Sequence, residues 1–270
     1  MRLSLVVSTH TARFEAVAYK GNFERDLTRV AGLGYEGVEL AIRDPRLIDS
    51  DQLVALLQRY GLQVPAIGTG QAWGEEGLSF TDPDPDVRSA AVARIQQHLP
   101  LAARLGAIII IGLIRGRTPP GLDRAWAYEQ MFSAMRTCAS AAQGYSVRLA
   151  LEPLNRYETD LLNTAEETRS FVEEVGLDNV GLLLDTFHMN IEEPDIGQSL
   201  RQCAARLFHV HVADSNRWYP GAGHLDFAMI VQTLREVGYA GWLSGEFLPM
   251  PDPDAAARAC IEHLRPLLVA

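Results

Sequence analysis

Cysteine is scarce in this 270-residue chain, and the three it has, Cys138, Cys203 and Cys260, lie far apart in stretches patterned as helices. None shows the close CxxC spacing of a thiolate metal site or redox pair, so buried thiols in a reducing cytoplasm are the expectation. Long apolar runs are missing too. The opening MRLSLVVSTH is strand-length and too short for a signal-peptide core, and the longest other apolar stretch, 107–114, falls far below spanning length. Positive charge is in deficit: 24 Lys and Arg against 34 Asp and Glu leave a formal net charge of -10. Such a field disfavours nucleic acid and suits a small-molecule substrate. No GxGxxG follows a strand, and Gly68-Thr69-Gly70-Gln71 is too short to be a nucleotide fingerprint. Linkers, low-complexity tracts and charge blocks are also lacking. These absences predict a soluble, unexported, cytoplasmic protein with one domain over 1–270 and no membrane or nucleic-acid partner; they leave a homo-oligomer open.

What is present is a repeating alternation. With 47% hydrophobic and 21% charged residues the chain has ample material for a core. Gly34, Gly61, Gly106, Gly144, Gly176 and Gly238 each precede an apolar, β-branched run, the pattern of a helix closed by a left-handed glycine and followed by a strand. Adding runs at 3–8 and 207–213 gives eight strands. Helix starts are visible at Thr164 with Glu167, which has capping-box spacing, and at Asp252-Pro253 and Asp84-Pro85, where an N-cap precedes a proline. Eight strand-and-helix units in strict alternation predict an α/β fold, a closed (βα)₈ barrel.

Chemistry concentrates where strands end. The segment 180–217 holds two apolar runs, 180–184 and 207–213, that lead into Asp185 and His188, and into His209, His211, Asp214 and Arg217. Two further runs stop at Glu152 and Glu246. Glu152, Asp185, His211 and Glu246 are separated by 33, 26 and 35 residues, and a barrel unit averages about 30, so four ligand-type side chains end four consecutive strands. Three carboxylates and an imidazole at one point would repel without a cation, and the oxygen-rich set suits a hard divalent ion such as Mn²⁺ or Mg²⁺. Of the two histidines we assign His211 to the interior and His209 to the helix-facing side. A metal chelating a carbonyl oxygen and its neighbouring hydroxyl would stabilise an enediolate, with Glu152 and Glu246 as the acid and base on opposite faces. Glu158, His188 and Arg217, just beyond strands five to seven, are expected to bind substrate oxygens. Arg43, Arg115 and Arg117, after strands two and four, add positive charge on the same face.

These residues carry a resemblance. EPLNRYETD at 152–160, DTFHMNIEE at 185–193, HVADSNRW at 211–218 and GEF at 245–247 resemble the metal-dependent ketose 3-epimerases of the D-tagatose and D-psicose type, within the xylose-isomerase-like TIM barrels. The likeness is stronger still to the 5-keto-L-gluconate epimerase branch, through STH at 8–10, YKGNF at 19–23, IRDP at 42–45, GTGQA at 68–72 and GLIRGR at 112–117. The resemblance implies that Glu152, Asp185, His211 and Glu246 bind the metal, Mn²⁺ foremost with Co²⁺ or Mg²⁺ as alternatives. It further implies that Glu152 and Glu246 are catalytic, and that Glu158, His188 and Arg217 hold the oxygens around the carbonyl. Where the neutral-ketose enzymes tend to present an aromatic on strand four, this chain has Leu113 followed by Arg115 and Arg117. A keto-aldonate such as 5-keto-L-gluconate is therefore the expected sugar, gripped at its far carboxylate by Arg43, Arg115 and Arg117.

Other readings stay open on the sequence. An aldose-ketose isomerase would use the same metal site, and a non-catalytic sugar-binding protein would share the fold. An endonuclease of the same superfamily would need more histidines than seven and a basic face.

Overall fold

The computed structural model describes residues 1–269. Its strands are β1 (Arg2–Ser8), β2 (Tyr19–Lys20), β3 (Gly37–Ala41), β4 (Ala66–Gly68), β5 (Ile108–Ile111), β6 (Leu149–Leu151), β7 (Val180–Asp185), β8 (Leu207–Val212) and β9 (Trp242–Gly245). All pairings are parallel, the order is β2-β1-β3-β4-β5-β6-β7-β8-β9, and β1 also pairs with β9. That last pairing, Arg2 to Trp242 through Leu5 to Gly245, closes an eight-stranded barrel, with β2 a two-residue addition beside β1. The helices are α1 (Phe23–Leu33), α2 (Ser50–Tyr60), α3 (Gly70–Glu76), α4 (Pro85–Leu105), α5 (Arg124–Gln143), α6 (Ala165–Val175), α7 (Thr186–Glu192), α8 (Ile196–Cys203), α9 (Phe227–Glu236) and α10 (Pro253–Val269). No helix among the described residues is long and apolar enough to cross a membrane.

The punctuation that the sequence suggests is largely realised. Gly34, Gly61, Gly106 and Gly176 close their helices in the left-handed conformation, and Thr164 with Glu167 forms a complete capping box. Gly144 differs: it stays right-handed at φ -62, and Ser146 takes the positive φ instead. The chain thus turns two residues later than glycine spacing suggests, and β6 begins at Leu149. Asp84 caps α4, and Asp252 accepts from the N–H of Ala255 ahead of α10. The three cysteines are free and buried in α5, α8 and α10.

Alternation along each strand sorts the side chains. Leu5, Val38, Leu40, Ile67, Ile109, Ile111, Leu182, Leu184, Val210 and Leu243 belong to the large core between barrel and helices. The opposite set packs inside the barrel, where Ala66, Ile108, Ile110, Ala150 and Leu183 form a compact cluster and Ser4 meets Ser244 at 2.6 Å. Continued toward the carboxyl ends, this inward set becomes polar: Glu39, Glu152, Asp185, His211 and Glu246. The apolar plug thus serves as the floor of a charged site.

Candidate metal centre and active site

Asp185 ends β7, His211 is the penultimate residue of β8, and Glu152 and Glu246 directly follow β6 and β9. One donor atom from each of these four lies within 4.8 Å of all the others. His211 Nδ1 is near both glutamates, 3.6 Å from Glu152 Oε1 and 3.5 Å from Glu246 Oε2. Glu152 Oε1, Asp185 Oδ2 and His211 Nδ1 are buried with no hydrogen-bond partner. Leaving such groups unpaired is costly, and a divalent cation accepting all three, with Glu246, removes the cost; the donor set fits a hard or borderline ion. Local structure holds these atoms in place. Asp185 Oδ1 caps α7 by accepting from Phe187 N at 2.8 Å, which leaves Oδ2 for the centre.

The electrostatics of the four groups match this reading. Burial pushes the Asp185 carboxyl up to about 7, opposed by His211 and reinforced by Glu246 and Glu152. Glu152 is raised for the same leading reason, again against His211. Burial works against a charged His211, yet the carboxylates of Glu39 and Glu246 hold its imidazolium well above the usual range.

Above this cluster is a cavity of about 270 Å³. Phe14, Trp73, Leu113 and Leu154 form apolar walls, and Gln71, Glu158, His188 and Arg217 supply polar ones. Arg217 donates from Nη1 to Glu158 Oε1 at 2.9 Å and lies over the rings of Phe187 and Phe14. Its φ of 60 lies in the left-handed region, which is uncommon for a residue other than glycine. Asn155 organises the rest, since its Nδ2 donates to Glu158 Oε1 at 3.1 Å and to His188 Nδ1 at 2.8 Å. His188 Nδ1 is therefore an acceptor and its proton sits on Nε2, 3.7 Å from Asp185 Oδ2. Burial, then the charges of Arg217 and Arg115, keep this ring neutral.

A model of the xylose isomerase-like TIM barrel matches residues 27–267. The chain belongs to that family. It is 33% identical over 242 residues to an L-ribulose 3-epimerase of Mesorhizobium japonicum, covering 89% of this chain and 80% of that protein. A D-psicose 3-epimerase of Ruminiclostridium cellulolyticum is 33% identical over 231 residues, covering 83% and 77%. The crystal structure of D-psicose 3-epimerase with D-tagatose from Clostridium cellulolyticum H10 superposes with a TM-score of 0.84 at 27% identity, covering 99% of each chain.

In this xylose isomerase-like barrel the residues singled out in the sequence separate into two groups. Glu152, Asp185, His211, Glu246, Glu158, His188 and Arg217 converge at the carboxyl end of the barrel. Arg43, Arg115 and Arg117 do not line the cavity. Arg43 pairs with Glu75 at 3.3 Å and Glu76 at 3.4 Å. Arg117 is exposed outside the cavity. Arg115 is wholly buried; its guanidinium donates to the carbonyls of Glu152, Leu161 (3.0 Å) and Leu162 (3.2 Å), which makes it a brace between strand ends. Besides Arg217, the arginine that does line the cavity is Arg13, in a segment with no periodicity to single it out.

His209 is also corrected. Residues two apart on a strand share a face, so His209 points inward with His211, and both meet Glu39, at 2.8 and 2.9 Å. Glu39 itself was legible only as a lone carboxylate within the apolar run GVELA. Asp214, part of the same polar cluster in sequence, accepts from the backbone N–H groups of Ser215, Gly221 and Leu225 and shapes the loop after β8.

Proposed function

We propose that the chain is a divalent-metal-dependent ketose 3-epimerase, which inverts the hydroxyl-bearing carbon beside the carbonyl. The observation that carries this reading is the set of partnerless buried donors of Glu152, Asp185 and His211, joined by Glu246, at the floor of a cavity walled by aromatic and aliphatic groups. The ketose 3-epimerase relatives support it. Glu152, Asp185, His211 and Glu246 would hold the ion, Mn²⁺ by preference and Co²⁺ or Mg²⁺ otherwise. Once bound, it supplies a Lewis acid for the carbonyl and its adjacent hydroxyl.

The protein's own groups account for the rest. Glu152 and Glu246 both reach toward His211 Nδ1, at 3.6 and 3.5 Å; with a sugar bound over the centre, one would take the proton from C3 on one face while the other returns a proton to the opposite face. The neutral His188 offers its Nε2–H, and Arg217 a guanidinium anchored by Glu158, to oxygens whose negative charge grows as that proton leaves. Phe14, Trp73 and Leu113 limit the water that reaches the reacting carbon.

The test is incubation of a ketose with the Mn²⁺-loaded protein in D₂O, followed by NMR. Deuterium should enter C3, and the C3 epimer should accumulate. Label at C1 or C2 with aldose formation would instead identify an aldose-ketose isomerase, and no exchange would leave sugar binding alone. A keto-aldonate substrate is the second reading, and Arg13 favours it: a chain chelated at its carbonyl end could place a far carboxylate at the cavity mouth. Comparing kcat/KM for a neutral ketose and a keto-aldonate, in the parent and in Arg13→Ala, decides between them.

A further inference from the structure

Glu39 has no part in the reaction above, yet it is 1% exposed in the barrel interior and both of its oxygens are engaged. Oε1 accepts from His211 Nε2 at 2.9 Å, and Oε2 accepts from His209 Nε2 at 2.8 Å and from His211 Nε2 at 3.1 Å. A carboxylate only accepts, so each Nε2 carries a proton. With that proton placed, the nitrogen of His211 left to offer a lone pair to an ion is Nδ1, the atom that faces Glu152 and Glu246 and has no partner. The second imidazole closes the arrangement. With His209 on Oε2, the Glu39 carboxylate cannot rotate away from His211, and the two rings meet edge to face at 5.4 Å.

We propose that Glu39 is a positioning residue for the metal centre, fixing the ring and tautomer of His211 so that Nδ1 faces the ion, with His209 bracing Glu39 from its other oxygen. This inference rests on reading Glu152, Asp185, His211 and Glu246 as a metal centre. Glu39, His209 and His211 also lie close enough together to hold an ion of their own. An ion there would have to replace both Nε2 protons, and His211 would then bridge two cations as an imidazolate. Hydrogen-bond separations of 2.8 to 3.1 Å fit donor and acceptor, the usual partnership of a carboxylate behind a ligating histidine.

The experiment is a titration of the metal-free full chain with Co²⁺, read by its visible absorption, in the parent, Glu39→Gln and His209→Phe. Thermal melts of the metal-free forms accompany it. Glu39→Gln should bind Co²⁺ about 10- to 100-fold more weakly, because the neutral amide lacks the carboxylate's charge and sets an NH₂ donor where one of the two acceptor oxygens stood, and His209→Phe should show a smaller loss. The metal-free melting temperatures should change far less than the affinities. Independently of any variant, ¹⁵N NMR of the Zn²⁺-loaded parent should find a proton on His211 Nε2 and the ion on Nδ1. Equal Co²⁺ affinity in the parent and Glu39→Gln, or an ion on Nε2, overturns the proposal while leaving the metal centre standing. Two ions per parent chain and one in Glu39→Gln would also overturn it, by making Glu39 a ligand. If the parent binds no Co²⁺, the metal reading falls, and this inference with it.

Discussion

A β-carbon on Gly112 would stand 2.7 Å from Oε2 of Glu152. Gly112 directly follows β5, so the neighbouring strand leaves space for the Glu152 carboxyl only because this position has no side chain. Gly112→Ala would meet the flexible end of a side chain rather than backbone, and the cost in stability should stay near 1 kcal/mol. The carboxyl, however, must move from the point where His211 and Glu246 converge. A displacement of about 1 Å can cost roughly a hundredfold in rate. The expected outcome is a near-parental melting temperature with kcat/KM lowered by about two orders of magnitude, measured side by side.

Arg115 should respond in the opposite way. Its guanidinium serves three carbonyls, including that of Glu152, from a wholly buried position. Burial lowers its pKa to about 10, which still leaves it charged at neutral pH. Arg115→Met strands those carbonyls, each buried loss costing about 1 to 3 kcal/mol, and a drop of about 3 kcal/mol or more is expected in denaturant unfolding. The ratio of kcat/KM for acidic and neutral sugars should not follow it, since the side chain does not line the cavity. Arg117→Ala, on the exposed side, should alter neither quantity.

This contrast shows how far the sequence can be read. The strands, the glycine-closed helices and the four metal-type residues were legible because each follows from spacing: alternation places a residue inside the barrel, and a strand end places it at the mouth. The arginines were legible only as charge after a strand. Whether such a side chain enters the cavity, braces carbonyls or meets a nearby glutamate depends on its rotamer and on partners distant in sequence, such as Leu161 for Arg115 and Glu75 for Arg43. Glu39 was hidden for a related reason, because its partners are His209 and His211, on a strand at a distance in the chain. Asn155 lay inside a recognised motif, but its role needs His188 and Glu158 in space.

Removing metal should change how stability depends on pH. Burial, helped by Glu246 and Glu152, lifts the Asp185 carboxyl from 3.8 to about 7 in the folded state. Between those values the native form holds a proton that the unfolded chain has released, so stability falls as pH rises across the window. His211, raised well above 6.5 by the carboxylates of Glu39 and Glu246 against the effect of burial, extends the same sign past neutrality. His98, His188 and His209, kept neutral by burial in the folded state, act with the opposite sign below about pH 6.5, but they do so with or without metal. Relative to the Mn²⁺-loaded protein, the EDTA-treated protein should therefore lose melting temperature progressively from about pH 5 to about pH 8. An ion competes with those protons, so the increase in melting temperature on adding Mn²⁺ should grow over the same range. Parallel melting curves with and without metal would contradict this account.

Glu152→Gln and Glu246→Gln give the sharpest test of the two-face mechanism. An amide keeps the size of the side chain and an oxygen for the ion, yet it cannot take up a proton, and each substitution should lower turnover by about 10² to 10⁴. The loss should fall on kcat more than on KM. The remaining carboxylate in each variant still reaches one face of C3. It can remove the proton from the epimer whose hydrogen points toward it, exchange that proton with solvent, and return it to the same face. In D₂O each variant should then wash deuterium into C3 of one epimer without inverting it, and the two variants should act on opposite epimers. NMR of both purified epimers with both proteins, at equal metal occupancy, measures this directly. Exchange of the same epimer by both variants would mean that one carboxylate serves both faces, and the assignment of Glu152 and Glu246 as paired acid and base would be wrong.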